Sequence, residues 1–419
     1  KGLVSMKYID VACRRILEAK YRLGLFEDPY KFCRAEQAAE EVYCQEHRDI
    51  ARKIASESFV LLKNEGVLPL KKQGTIGLIG PLADTRSNMP GTWSVAARFD
   101  VPKTIREGLT EAVAGKAKVL YAKGSNLTAD YDLEMRSTMF GRELGRDNRT
   151  DAQLLNEALA VARQSDVIVA ALGESSEMSG ESSCRTEISI PDVQKTLLKA
   201  LVATGKPVVL LLFNGRPLTL NWEAENVPAI LDVWFGGSET ADAVADVLFG
   251  DVNPSGKLPY TIQPSLADYP AHQYGEIAYP GVDKQVHYLE DIFVGYRYAD
   301  LYGTRRPIKY EAQGVQYTIN PPKRQPIFPF GFGLSYTTFA YSDATLDGNQ
   351  ITVSVTNTGA RAGQEVVQLY VSDSKSSVIR PKKELKGFCK VALQPGETKQ
   401  VTFTITPDML AFFDADAHK

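Results

Sequence analysis

Residues 166–213 read DVIVAALGESSEMSGESSCRTEISIPDVQKTLLKALVATGKPVVLLLF. The two ends, DVIVAAL (166–172) and PVVLLLF (207–213), are short and almost uncharged, as strands buried on both faces of a sheet must be. Between them, 191–204 follows a helical pattern, so the stretch describes a strand, a crossover helix and a second strand. The same alternation runs outward in both directions. Strands are expected at 75–80 (TIGLIG), 118–121 (KVLY) and 229–234 (AILDVW), and helices at about 102–114, 151–164 and 238–249. Right-handed crossovers assemble such units into a mainly parallel sheet with helices on both faces, and 46–265 reads as one α/β sandwich.

The flanks differ in pattern. In residues 6–25, Ile9, Ala12, Ile16, Leu17 and Leu23 fall close to helical spacing, and the pattern stops at Phe26-Glu27-Asp28-Pro29. Such a helix needs a partner for its apolar side, and 1–45 is expected to be the end of a preceding domain and its linker. A charged stretch at 34–50 also reads as helical. From about 266 to 334 Pro, Tyr and Gly become frequent, which predicts a long irregular connection of the kind that is often functional or packed on a neighbour. Beyond Leu334 the period changes to two: ITVSVTNTG (351–359), EVVQLYVSD (365–373), ELKGFCKVAL (384–393) and TKQVTFTIT (398–406), with turn signals at Asn357-Thr358-Gly359 and Pro395-Gly396. Strands so spaced, without helices, predict an all-β sandwich of fibronectin type III kind over 335–419, one strand short at His418-Lys419.

Composition narrows the chemistry. Lys plus Arg number 48 against 51 for Asp plus Glu, a formal charge of −3, which gives no electrostatic reason to expect nucleic acid or a membrane surface as partner. No apolar run reaches the roughly 18 residues of a membrane span, and residues 1–20 mix charges rather than forming a signal-peptide core. Cys13, Cys33, Cys44, Cys184 and Cys389 form no CxxC pair, and His47, His272, His287 and His418 stand apart, so no metal site is expected. The segment IGLIGPLAD has glycines at 77 and 80 only, and neither Gly173-Glu174-Ser175 nor Gly180-Glu181-Ser182 completes GxSxG. Nucleotide-binding and serine-nucleophile readings therefore lack their loops.

Eight strings in order carry a more specific signal: RRILEAKYRLGLFEDPY (14–30), ESFVLLKNEGVLPL (57–70), IGPLADTRSNMPGTWS (79–94), GESSEMSGESSCR (173–185), FNGRPL (213–218), WFGGSETADAVADVLFGDVNPSGKLPYTI (234–262), YLEDIFVGYRYAD (288–300) and FPFGFGLSYTTF (328–339). Together they resemble glycoside hydrolase family 3, and the third and fourth resemble its periplasmic bacterial β-glucosidase branch. The resemblance implies that a (β/α)8 barrel precedes this chain and carries an aspartate nucleophile in a Ser-Asp-Trp-like context, together with a sugar-gripping Lys-His motif. Neither motif occurs here. It also implies a periplasmic or secreted retaining exo-β-glucosidase, without cofactor, acting on a β-glucoside or short β-glucan. The partner of this chain would be the amino-terminal barrel, and a homodimer is compatible with the sequence.

Retaining glycosidases use two carboxyl groups about 5–5.5 Å apart, one attacking the anomeric carbon and one protonating the leaving oxygen. This chain can offer only the second. The loop after strand 166–172 leaves the sheet where open α/β folds bind ligands and holds Glu174, Glu177 and Glu181. An acid that keeps its proton near working pH is expected in a partly desolvated place beside another negative group. By resemblance Glu181 matches the family's acid/base position; Glu177 and Glu174 are the alternatives, and Glu174 could equally fix its own loop through backbone N–H groups. Arg185 could orient Glu181 or form a structural ion pair with Glu187 or Asp192.

By the same resemblance Trp93 helps form the aglycone subsite, where an indole packs against the C–H groups of a sugar face; interdomain packing is the other reading. Met178 and Ser179 are candidates for that subsite too, though a loop Met is commonly plain packing. Asn214-Gly215-Arg216-Pro217 reads as a strand-to-helix turn with Pro217 in the helix's first turn. Trp234, Phe235, Gly236, Gly237 and Glu239 end another strand and favour packing over a place in the cleft. Readings outside this one are a non-catalytic carbohydrate-binding or assembly module and a β-xylosidase of the same family. An N-acetylglucosaminidase fits less well, since those relatives commonly take their acid from a barrel His-Asp pair.

Overall fold

A computed structural model describes residues 3–413 apart from 95, 137–144, 182, 305 and 313–314, so Ser182, His418 and Lys419 lie outside the described residues. The chain divides into two compact units, 1–50 and 51–419. The first unit holds helix α1 (Met6–Arg22), α2 (Ala35–Glu41) and the start of α3 (Gln45–Ser58). Ser5 caps α1 by accepting from the Lys7 amide, and no residue of α1 is buried. The single helix expected over 34–50 is two, broken at Val42–Cys44, where Tyr43 takes a positive φ of 63°.

The second unit is built on a six-stranded sheet: β1 (Val60–Asn64), β2 (Gly74–Ile79), β3 (Ala117–Ala122), β4 (Val167–Gly173), β5 (Val208–Phe213) and β6 (Ala229–Asp232). Its order is β1-β6-β5-β4-β2-β3; β2 through β6 run parallel, and β1 pairs antiparallel with β6 at the edge. Strand β1 falls within ASESFVLLKNEGVLPL, which is not among the expected strands. Around the sheet lie α4 (Ile105–Val113), α5 (Tyr131–Arg136), α6 (Asp151–Arg163), α7 (Asp192–Val202), α8 (Asn221–Asn226) and α9 (Thr240–Phe249).

Alternation along the central strands sorts the core into two layers. Val169, Ala171, Val209 and Leu211 pack with Leu109 of α4 and Val244 and Leu248 of α9. Their neighbours Ile168, Ala170, Leu210 and Leu212 pack on the other face with Ala158 and Ala162 of α6 and Leu197 and Leu201 of α7. All of these central-strand residues are fully buried, each worth about 1.5–3 kcal/mol for the larger aliphatic side chains. Reciprocal capping boxes, Thr104 with Glu107 and Thr150 with Gln153, fix the starts of α4 and α6.

The segment 214–220 does not enter a helix at Pro217. Leu218 and Leu220 are fully buried and the Thr219 amide donates to Ile188 O at 2.9 Å, so the chain stays open and α8 begins only at Asn221. The connection 266–334 is irregular over most of its length but contains the short helix α10 (Tyr296–Ala299) and a pair of strands, β7 (Ile308–Ala312) with β8 (Val315–Ile319).

The last region is all-β. Strands β9 (Phe339–Asp347), β10 (Gln350–Asn357) and β13 (Thr398–Thr404) form one sheet, and β11 (Gly363–Val371) with β12 (Glu384–Leu393) forms the other. Val355, Val367, Val391, Leu393 and Val401 fill the space between them, and a short helix α11 (Pro407–Leu410) follows. Among the described residues no helix is long and apolar enough to cross a membrane.

Candidate active site

Strand order decides where a ligand can approach the sheet. From β2 the chain steps outward to β3 and then returns to the other side of β2 to make β4. The reversal opens a crevice beyond the carboxyl ends of β2 and β4, the place where open α/β sheets receive ligands. The loop after β2 carries Trp93, and the loop after β4 carries Glu174, Glu177 and Glu181.

These loops are laced together. Ser176 donates its amide to Asn88 Oδ1 at 2.7 Å, and the Thr92 hydroxyl reaches the carbonyls of Ser176 and, at 2.9 Å, Ser179. At Gly180, φ is +114°, and a Cβ would fall 2.5 Å from Thr92 Cγ2, so only glycine lets the two loops approach this closely. At the base of the second loop Gly173, also at positive φ, lies against the Phe213 carbonyl. Gln194 of α7 secures it by accepting from the Gly173 amide and donating to its carbonyl, each at 2.9 Å.

The three carboxylates have different surroundings. Glu174 is fully buried: Arg185 Nη1 lies 2.6 Å from Oε1, and Arg216 Nε lies 3.2 Å from Oε2. Arg185 also donates to Ser189 O at 3.0 Å, and Arg216 donates to the carbonyl of Met178. Glu174 thus fixes its loop through two guanidinium groups rather than through backbone amides. The ion pairs expected between Arg185 and Glu187 or Asp192 do not form, because Arg185 is turned inward to this buried charge. Glu177 is half-buried, and its carbonyl accepts from Ser183 Oγ at 2.8 Å.

Glu181 is exposed, and no hydrogen bond or ion pair holds its carboxylate among the described residues. The partly desolvated setting expected for an acid is therefore not supplied by this chain, because the loop displays Glu181 on its outer side. Trp93 is also displayed, at 69% exposed. Met178 and Ser179 are not: both are buried, Met178 within the sandwich core, and they serve the loop through backbone carbonyls. Their side chains offer no surface to a ligand here.

Arg216 was legible only as part of a turn; its role as a second cation for Glu174 depends on a contact 42 residues apart in sequence. Nearby, Asn214 Nδ2 donates to Arg216 O and to the Tyr260 hydroxyl, at 2.9 and 3.0 Å. Trp234 has a positive φ of 54°, and its indole N–H donates to Ser58 O at 2.9 Å, so it belongs to the packing of the sandwich. The Tyr279 hydroxyl donates to the Cys184 thiol at 2.8 Å, tethering the connection to the end of the Glu181 loop. Among the described residues no group of His, Cys, Asp and Glu side chains could hold a metal ion.

The description "Glycosyl hydrolase family 3 C-terminal domain" matches residues 59–296, and "Fibronectin type III-like domain" matches 365–419. The chain belongs to glycoside hydrolase family 3. It is 41% identical, over 99% of its length, to the "Periplasmic beta-glucosidase" of Salmonella typhimurium, and covers 52% of that protein. It is 37% identical over its whole length to a "Beta-xylosidase" of Formosa agariphila, covering 53% of it. The crystal structure of a β-glucosidase from Listeria innocua in complex with isofagomine superimposes on all of this chain with a TM-score of 0.75 at 32% identity, 53% of that chain being covered. The family 3 chain described here thus spans about half the length of the curated relatives it matches.

Proposed function

We propose that the chain is the acid/base half of a retaining, exo-acting β-glucosidase, with Glu181 as the proton donor and Trp93 at the aglycone subsite. In this reading residues 1–45 end a barrel domain and its linker, 46–265 form the catalytic sandwich, 266–334 the connection and 335–419 the fibronectin-type domain. The observation that carries it is the division of labour within one loop. Glu174 is spent on two arginines and Glu177 is half-buried, whereas Glu181 is exposed on the loop after β4, which is laced to the loop after β2 that exposes Trp93.

As the nucleophile carboxylate of the barrel bonds to the anomeric carbon, the Glu181 carboxyl would give its proton to the departing glycosidic oxygen. The resulting Glu181 carboxylate would then take a proton from water as that water's oxygen attacks the anomeric carbon, releasing the sugar and restoring the acid. Docking against the barrel would supply the desolvation that this chain alone does not. A periplasmic or secreted location is supported by the name of the Salmonella relative.

The test is Glu181→Gln in the enzyme carrying this chain, assayed on aryl β-glucosides with good and poor leaving groups. Loss of roughly 10²–10⁴-fold concentrated on poor leaving groups is expected of a general acid, with azide restoring turnover of good ones in the companion variant Glu181→Ala, which leaves room for it. Equal loss on both would reject the assignment. The 419-residue chain by itself should show no hydrolysis, and robust turnover by it would reject the proposed division of labour. A β-xylosidase is the second reading, favoured by the Formosa relative; parallel assays on β-xylosides decide between them.

A further inference from the structure

A second concavity, of about 230 Å³, lies among α10, the 325–330 segment, Tyr370 of the fibronectin-type strand β11 and Lys383 just before β12. None of its lining residues belongs to the Glu181 loop or the Trp93 loop. Its walls are aromatic: Tyr296 and Phe330 have centroids 4.6 Å apart at a tilt of 31°, and Tyr370 meets Tyr296 edge-on at 6.2 Å. Tyr302 also lines it and is 45% exposed.

Its polar lining is incomplete. Lys383 Nζ lies 3.5 Å from Asp300 Oδ1 and 5.1 Å from the Tyr370 ring centre, so its charge is already answered. Asp300 Oδ2 and Thr261 Oγ1 are buried without hydrogen-bond partners among the described residues. Buried polar atoms are paired in nearly all native structures, so two orphans on residues that line one cavity point to a ligand with several hydroxyl groups.

We propose that this cavity binds a single neutral sugar ring. Its C–H face would pack on the aromatic walls, and its hydroxyl groups would pair with Asp300 and Thr261 after small side-chain rotations. A phosphate or carboxylate ligand would meet one lysine already neutralised by Asp300, and an apolar ligand would leave both orphans unpaired. The volume falls below the roughly 300–1,000 Å³ typical of ligand pockets, which suits one ring rather than an oligosaccharide.

The choice of probe, methyl β-D-glucopyranoside, rests on the proposed function; the cavity itself does not. Saturation-transfer NMR titration of the 419-residue chain should show weak, saturable binding, reduced at least about fivefold in Asp300→Asn and in Tyr302→Ala and retained in Glu181→Gln. Absence of saturable binding, equal affinity in both cavity variants, or loss in Glu181→Gln instead would overturn the proposal. Should Tyr302→Ala alter the far-ultraviolet spectrum, Tyr302→Leu gives the same reading with bulk retained. Because binding is read without turnover, failure of the hydrolysis test would bear only on Glu181.

Discussion

Asp232 ends β6 with its side chain fully buried; Oδ1 accepts from the Trp234 amide at 3.3 Å, and Asn214 and Tyr260 are its polar side-chain neighbours. Loss of hydration on burial pushes this carboxyl well above the ordinary aspartate range. A carboxyl whose folded value is raised binds its proton more tightly when folded, so its contribution to stability is fully present below the unfolded value, near 3.9. That contribution is lost as pH rises through the folded value. An amide at the same place is neutral throughout. Asp232→Asn should therefore gain on the wild type as pH rises, with a larger difference in Tm at pH 8 than at pH 5. A difference independent of pH would show that the carboxyl titrates normally. Glu174 illustrates the opposite solution to burial: two guanidinium groups surround it, and the charge that could have been catalytic becomes a fastening for the loop that presents Glu181.

At the level of elements, the reach of the Glu181 loop depends on Gly180, whose φ of +114° belongs to a region that side chains disfavour and whose missing Cβ makes room for Thr92. Gly180→Ala should cost about 1–3 kcal/mol in urea unfolding. Under the acid role proposed for Glu181, the same change in the enzyme carrying this chain should also lower kcat/KM at least about tenfold on poor-leaving-group substrates, because Glu181 would shift relative to the bond it protonates. Unchanged kinetics would mean that the loop's geometry is not what positions the acid. The parallel strands and their helices were legible because buried runs and helical spacing are local signals, whereas Glu181 is singled out only by the resemblance of the GESSEMSGESSCR string. Three features were not legible. Strand β1 pairs with β6 across more than 160 residues and looks locally like the end of a helix-rich stretch. The extended path of Leu218–Leu220 is set by burial and by Ile188, against the local suggestion of Pro217. Met178 reads as a loop residue because only the folded loop reveals that its side chain turns into the core.

Across the larger unit, the sandwich and the fibronectin-type domain share a polar joint centred on Asn253. Its Nδ2 donates to Ala362 O at 3.0 Å, and its Oδ1 accepts from Ser335 Oγ and the Tyr336 amide, both at 2.8 Å. Around it the Tyr336 hydroxyl donates to Val247 O at 2.9 Å, Lys257 pairs with Glu365 at 3.1 Å, and Gln368 Nε2 donates to Gly331 O at 3.0 Å. Tyr336 is largely withdrawn from water at this joint, which raises its hydroxyl pKa above the ordinary tyrosine range. With side chain and backbone of both domains meeting at one amide, the two should unfold together in a single calorimetric transition. Asn253→Ala removes three hydrogen bonds and leaves partly buried groups unpaired, a loss of about 2–4 kcal/mol. If the joint is what couples the domains, the variant should melt in two resolved steps, the small sandwich, with its five-residue valine and leucine core, going first. A single transition displaced to lower temperature would instead place the coupling in the apolar contacts between the domains, and Asn253 would be reduced to an ordinary stabilising contact.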